Sequence, residues 1–122
     1  HLQGDRMLAR FGLLLRAAIR DTDQAFRFGG EEVVILLPGT ACEDAHKVAE
    51  RIRERFQSLV FNVPPNGGNP EGRESRTVSI GVSAYVDGMD DKDLLASADQ
   101  ALYLAKNSGR NCVVAHTLEP VV

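Results

Sequence analysis

Apolar residues recur along this chain in two periods, and the switches between them mark out helices and strands. From about Asp5 to Arg20, the residues Leu8, Phe11, Leu15, Ala18 and Ile19 fall at helical spacing with Arg6, Arg10 and Arg16 between them, which predicts one amphipathic helix. A polar break, Arg20-Asp21-Thr22-Asp23, follows. Ala25, Phe26 and Phe28 then lead into Gly29-Gly30, and Val33-Val34-Ile35-Leu36-Leu37 comes after. Apolar runs on either side of a glycine pair predict a hairpin with a short turn. The second run is so evenly apolar that it reads as a central strand buried on both faces. Pro38-Gly39 ends it, and Thr40-Ala41-Cys42-Glu43 has the Thr-x-x-Glu form of a capping box. The helix it opens is predicted to run to about Ser58, with Ala45, Val48, Ala49, Ile52 and Phe56 inward.

Beyond that helix the pattern shortens. Val60 to Val63 suits a short strand, and the stretch from Pro64 to Gly72, rich in proline, glycine and asparagine, suits a mobile loop or the tip of a long hairpin. Thr77 to Tyr85 places Val78, Ile80, Val82 and Ala84 on one face and Ser79, Gly81 and Ser83 on the other, a strand with one unusually slim face. Asp90 and Asp91 favour a helix start. Leu94, Leu95, Ala98, Ala101, Leu102 and Ala105 form its apolar stripe until Gly109 stops it. Cys112 to Ala115 reads as a last strand, and Thr117 to Val122 as a patternless tail. Helices mixed with hairpins point to an α+β or mixed-sheet α/β layer fold.

Composition narrows the function classes. At 122 residues and 43% hydrophobic content the chain suits one compact domain. A net charge of −3, from 14 basic and 17 acidic residues, argues against nucleic acid or an anionic membrane as the main partner. Cys42 and Cys112 lie far apart without ligand-like spacing, so they read as buried free thiols in a reducing compartment rather than as a disulfide or a zinc site. The apolar runs are strand-sized, and no charged-then-apolar leader opens the chain, so a signal peptide or membrane span is not expected within it. Its opening without methionine, almost directly into a helical pattern, suggests a fragment, which leaves a membrane anchor elsewhere in a longer parent open.

Candidate chemistry gathers at Arg27-Phe28-Gly29-Gly30-Glu31-Glu32-Val33. Glycines permit positive φ and let a ligand come close to the backbone. Two carboxylates beside them are hard oxygen donors suited to Mg²⁺ that in turn meets substrate phosphates. An ordinary hairpin with solvated glutamates has the same bare pattern, so other residues must decide.

Those residues resemble the GGDEF-type diguanylate cyclase family, whose signature here is Gly29-Gly30-Glu31-Glu32-Val33. His1-Leu2-Gln3-Gly4-Asp5 is similar to the end of the family's Gly-His-x-x-Gly-Asp segment, and Thr77 to Ser83 to its Ser-x-Gly strand. Asp99 to Lys106 followed by Gly109-Arg110-Asn111 is similar to the closing helix and turn. The resemblance implies an α+β fold, a mixed and mainly antiparallel sheet wrapped by helices, like the palm of adenylyl cyclases and polymerases, over residues 1–116 with 117–122 as a tail. It implies a Mg²⁺- or Mn²⁺-dependent enzyme that joins two GTP molecules into cyclic di-GMP and acts as a homodimer. It further implies a cytoplasmic domain with a flanking sensory domain in the parent.

By motif position, Glu31 and Glu32 would bind metal and orient or deprotonate the 3′-hydroxyl, with the division of roles between them open. Gly29 and Gly30 would admit the phosphates, Asp5 would accept from guanine, Leu8 would line the base pocket, and Lys106 and Arg110 would clamp the triphosphate. Arg20 and Asp23 resemble the family's RxxD inhibitory site for product, and Arg51 its secondary arginine. The family's first strand, with a metal-binding aspartate and residues that reach guanine, is expected just before His1, so this segment alone is expected to have little activity. Val33 stands where phenylalanine is usual, a loss of packing, and Glu31 stands for aspartate with its charge kept. A non-catalytic receptor for cyclic di-GMP or GTP is the alternative, and a plain interaction domain a third.

Overall fold

A computed structural model describes residues 2–116, with side chains from Arg6 onward. Three helices and six strands follow in the order α1 (Leu2–Ala18), β1 (Gln24–Gly29), β2 (Glu32–Leu36), α2 (Cys42–Gln57), β3 (Phe61–Asn62), β4 (Arg73–Glu74), β5 (Ile80–Ser83), α3 (Asp91–Asn107) and β6 (Val113–His116). The strands form three pairs, β1 with β2 and β3 with β4 antiparallel, β5 with β6 parallel. This is the α+β architecture expected from the sequence.

The alternation of β5 decides the layering. Ile80 and Val82 face α2, where Val82 joins Ala45 and Ala49 with Val113, Cys42 and Leu37 around them. Gly81 faces α3 so closely that a Cβ on it would meet the Leu102 amide nitrogen and the Ala98 carbonyl. Ser83 Oγ donates to the Leu94 carbonyl at 3.0 Å. Helices α2 and α3 therefore cover opposite faces of β5–β6, and the slim face exists so that α3 can close on it. Ala101 and Ala105 of α3 are fully buried there.

On the other side, α1 packs on α2. Phe11 meets Phe56 edge-on at 5.1 Å, Phe56 meets Phe61 of β3 at 5.9 Å, and the Arg10 guanidinium sits 4.7 Å over the Phe61 ring. These rings attach the β3–β4 pair to the helices. The loop of that pair is a hairpin tip and not a free loop. Val63 N–H donates to the Gly72 carbonyl at 2.8 Å, and Asn66 and Asn69 exchange backbone hydrogen bonds at 3.1 and 3.0 Å. Gly72 is needed at φ 65, where a Cβ would also meet the Val63 carbonyl at 2.5 Å.

Five expectations are corrected. The apolar run of β2 is half-buried with Leu36 43% exposed, because β1 and β2 contact each other and no other helix or strand more than marginally. It is not a central strand buried on both faces. The capping box at residues 40–43 does not form: Ala41 takes the N-cap with no side-chain hydrogen bond, since the Thr40 hydroxyl is turned toward Pro38 and Arg20. The acids Glu43 and Asp44 in the first turn favour that end through the helix dipole instead. The strand expected from Thr77 to Tyr85 narrows to β5. Leu95 of the α3 stripe is 37% exposed, and Ser97 is buried in its region, its Oγ 2.6 Å from His116 Nδ1. Cys42 and Cys112 are half-buried and not buried.

The start of α3 agrees with the sequence. Asp90 caps it, accepting from Asp93 N–H at 2.8 Å while the Asp93 carboxylate accepts from Asp90 N–H at 3.2 Å.

Candidate active site

The hairpin β1–β2 turns at Gly30-Glu31, directly between the strands. Pairing runs Arg27 with Val33 and then Gly29 with Glu32, so Phe28 is an extra residue, a bulge that bends the strand into the turn. Gly29 and Gly30 stand at φ 123 and 53, left-handed values that disfavour any side chain. A Cβ on either would meet nothing within 4 Å. Backbone conformation, not crowding, requires both glycines, and the space above them is open to a ligand. Arg27 folds back across the turn, donating from Nε and Nη2 to the Gly30 carbonyl at 3.3 and 3.2 Å. Arg27 thus helps to shape the turn, and its i to i+3 spacing from Gly30 is the one sign of this in the sequence.

Glu31 and Glu32 are exposed at this tip and make no ion pair among the described residues. The described residues hold no group of three or more His, Cys, Asp and Glu that could bind a metal by themselves. Two free carboxylates still fit Mg²⁺, which is commonly bound by one or two carboxylates with water and substrate phosphates completing its shell. The donor set suits a metal whose shell is completed by water or by a ligand's phosphates.

A second cluster lies at the entry to the hairpin. Arg20 N–H donates to Asp23 Oδ2 at 2.8 Å, its Nε to Oδ2 at 3.3 Å and its Nη2 to Oδ1 at 3.1 Å. The same Nη2 reaches the Pro38 carbonyl at 3.0 Å and Thr40 Oγ1 at 2.8 Å. The Asp23 side chain is 3% exposed and that of Arg20 61%. Arg20 is thus anchored through Nε and Nη2, while Nη1 has no partner among the described residues and the side chain stays largely exposed. This is an oriented guanidinium on a buried carboxylate, a firmer arrangement than an ordinary helix-end charge pair.

The bond from Arg20 holds the Asp23 carboxyl below its ordinary 3.8, against the opposing effect of burial. The same bond raises the Arg20 guanidinium further above its usual value. A depressed folded value means that the unfolded chain binds the proton more readily. The contribution to stability is therefore complete above about pH 5 and is lost as pH falls through 3.8 toward the folded value. Asp23→Asn is expected to lower the urea midpoint at pH 7, and the difference from the parent chain is expected to shrink at pH 3. An equal difference at both values would contradict this.

Of the remaining residues singled out in the sequence, Leu8 is half-buried on α1 and Arg51 exposed on α2. Asp5 belongs to α1, but its side chain lies outside the described residues. Lys106 is exposed in the last turn of α3, and Arg110 is exposed just beyond it at φ 62. Among the described residues no ion pair joins Lys106, Arg110 or Arg51 to the other site residues. Three groups are therefore built separately: the glycine and glutamate tip, the Arg20–Asp23 pair, and the basic end of α3.

The sequence profile of the family described as diguanylate cyclase, GGDEF domain, matches residues 1–112. The chain belongs to this GGDEF family. It is 44% identical over 117 residues to the response regulator PleD of Caulobacter vibrioides, covering 93% of this chain and 24% of that protein. Among solved structures, the active GGEEF domain of a diguanylate cyclase from Vibrio cholerae matches with a TM-score of 0.79 at 34% identity, covering 98% of this chain and 72% of the other. The GGDEF domain of DgcB from Caulobacter crescentus, solved in complex with c-di-GMP, matches with a TM-score of 0.84 at 28% identity, covering 95% and 66%. This GGDEF domain thus spans about a quarter of the length of the curated relative. No helix among its described residues is long and apolar enough to cross a membrane.

Proposed function

We propose that this domain condenses two GTP molecules into cyclic di-GMP and two pyrophosphates, as the catalytic part of a signalling protein. The observation that carries this is the hairpin tip, where two glycines in left-handed conformation stand beside an exposed glutamate pair that makes no ion pair among the described residues, in a chain of the diguanylate cyclase family. Damage to the tip would favour a receptor, and here the acidic pair is intact.

In the proposed reaction each 3′-hydroxyl attacks the α-phosphate of the partner nucleotide in line, and pyrophosphate leaves. Two such attacks close the ring, so two copies of the domain each present one GTP to the other. Mg²⁺, or Mn²⁺, held by Glu31 and Glu32 would neutralise phosphate charge in this site. One of the two glutamates also accepts or orients the proton of the 3′-hydroxyl. Gly29 and Gly30 leave the backbone accessible to the phosphates, and Lys106 and Arg110 supply cations to the triphosphate. Asp5 accepts from the N1 and N2 donors of guanine, and Leu8 lines the base. Most of the rate enhancement then comes from positioning and charge stabilisation.

Product feedback is part of the proposal. The largely exposed side chain of Arg20 is suited to a phosphate or guanine of cyclic di-GMP, Asp23 holds it in place, and Arg51 assists from α2. The cytoplasm, where GTP is found, is the proposed location, with a sensory domain attached in the longer protein.

The test is chromatographic detection of cyclic di-GMP after incubating the full-length protein with GTP and Mg²⁺. Product is expected, and added cyclic di-GMP is expected to slow its formation in the parent protein and not in Arg20→Ala. Absence of product from a folded dimer that still binds cyclic di-GMP would replace the cyclase with the receptor alternative.

A further inference from the structure

The turn after α3 is held in an unfavourable conformation. Gly109, Arg110 and Asn111 stand at φ 102, 62 and 46, three consecutive left-handed residues of which only the first is glycine. Side-chain-bearing residues keep such a conformation when their surroundings over-determine it. Local restraints account for part of this. Arg110 N–H donates to the Ala105 carbonyl at 3.1 Å, which closes the helix, and Ile80 N–H donates to the Cys112 carbonyl at 3.0 Å, which starts the pairing of β6.

Cys112 Sγ donates to the same Ala105 carbonyl at 3.4 Å, and a further restraint comes from 58 residues away. Arg53 of α2 donates from Nη1 to Asn111 Oδ1 at 3.0 Å. Arg53 is itself clamped, with Nη2 at 3.0 Å and Nε at 3.4 Å from Glu50 carboxylate oxygens and Nη1 at 3.3 Å from Gln57 Oε1. Its side chain is 16% exposed. A fork fixed on one side by a carboxylate holds its other donors in a set direction. The residue so fixed, Asn111, is the immediate neighbour of Arg110, whose exposed side chain makes no ion pair among the described residues.

We infer that Arg53, braced by Glu50, is a positioning residue that fixes through Asn111 the left-handed backbone from which Arg110 is presented to the phosphates of GTP. This rests on the proposed role of Arg110 in holding the triphosphate. A long arginine side chain binds phosphate well only when its root is fixed, because each rotamer left open in the free site must be lost on binding. Arg53 touches no nucleotide. Its effect falls on how often Arg110 starts from the right place, and hence on the binding of GTP in ground and transition states alike.

The experiment measures steady-state cyclic di-GMP formation against GTP concentration for the full-length protein and four variants. Arg53→Met keeps the apolar stem and removes the fork. Asn111→Gly keeps the left-handed backbone accessible and removes the acceptor. Each is expected to raise KM for GTP roughly tenfold with kcat within about twofold, the signature of lost uniform binding. The double variant is expected to match the single ones, because both cut the same connection. Asn111→Asp, which keeps an acceptor for Arg53, is expected to retain a KM near that of the parent protein. Unchanged KM in both single variants alongside a lowered unfolding midpoint would reduce the contact to a fastening of α2 onto β6 and overturn the positioning role. No product from the parent protein would instead overturn the cyclase proposal, and this role with it, so the two failures are told apart.

Discussion

Gly81→Ala is expected to cost about 3 kcal/mol or more of folding stability, a large share of what holds a domain of this size together. A Cβ at this position would meet the Leu102 amide nitrogen, the Ala98 carbonyl and, at 2.8 Å, the Leu102 Cα. All three are backbone atoms of α3, so no side-chain rotation relieves the clash. The helix would have to lift from β5, and Ala101 and Ala105, fully buried now, would lose their contacts with it. Because Val82 on the opposite face of β5 joins the cluster with Ala45 and Ala49 of α2, tilting the strand would loosen both layers. Urea unfolding followed by circular dichroism measures the loss. Gly12→Ala is the control, since Gly12 lies within α1 and a Cβ there meets nothing within 4 Å. It is expected to raise stability by a few tenths of a kcal/mol up to about 1 kcal/mol, the ordinary helical preference for alanine. A mild effect at Gly81 would mean that α3 is not seated as described.

The contrast shows what the sequence can and cannot convey. Strand alternation at Ile80, Gly81 and Val82, and the aspartates before α3, are local signals, and the structure follows them. The apolar run of β2 says only that the strand can be buried, and nothing in it says what packs on it. Thr40 has the spacing of a capping residue, yet Arg20, 20 residues earlier, draws its hydroxyl away. Ser97 looks polar in the pattern and is buried because His116 of the adjacent strand supplies a partner. In the candidate site, the glycine turn and its acids are legible because they are contiguous. The bracing of Arg20 by Pro38 and Thr40, and of Asn111 by Arg53, joins residues that only the fold brings together.

Glu32→Gln is the second change with a large expected effect, and it acts on activity rather than on stability. Glutamine keeps the size of glutamate and removes the charge that would hold a cation and receive a proton. Product formation by the full-length protein is expected to fall roughly 100-fold or more, the scale of losing a positioned general base or a charge that stabilises the transition state. Glu32 is exposed and makes no ion pair among the described residues. Unfolding midpoints of the parent and the variant are therefore expected to agree within about 0.5 kcal/mol. Glu31→Gln, one residue away in the turn, is expected to behave alike if both carboxylates serve one metal site.

Separating chemistry from architecture at the hairpin tip is what most directly tests the assignment of function to it. The decisive measurement is pyrophosphate released per unit time by the full-length protein and by its Glu32→Gln variant, at saturating GTP and Mg²⁺ with cyclic di-GMP removed enzymatically to prevent feedback. A folded variant with almost no turnover beside an active parent is the predicted result. A variant as active as its parent would contradict it and move the chemistry away from Glu31 and Glu32.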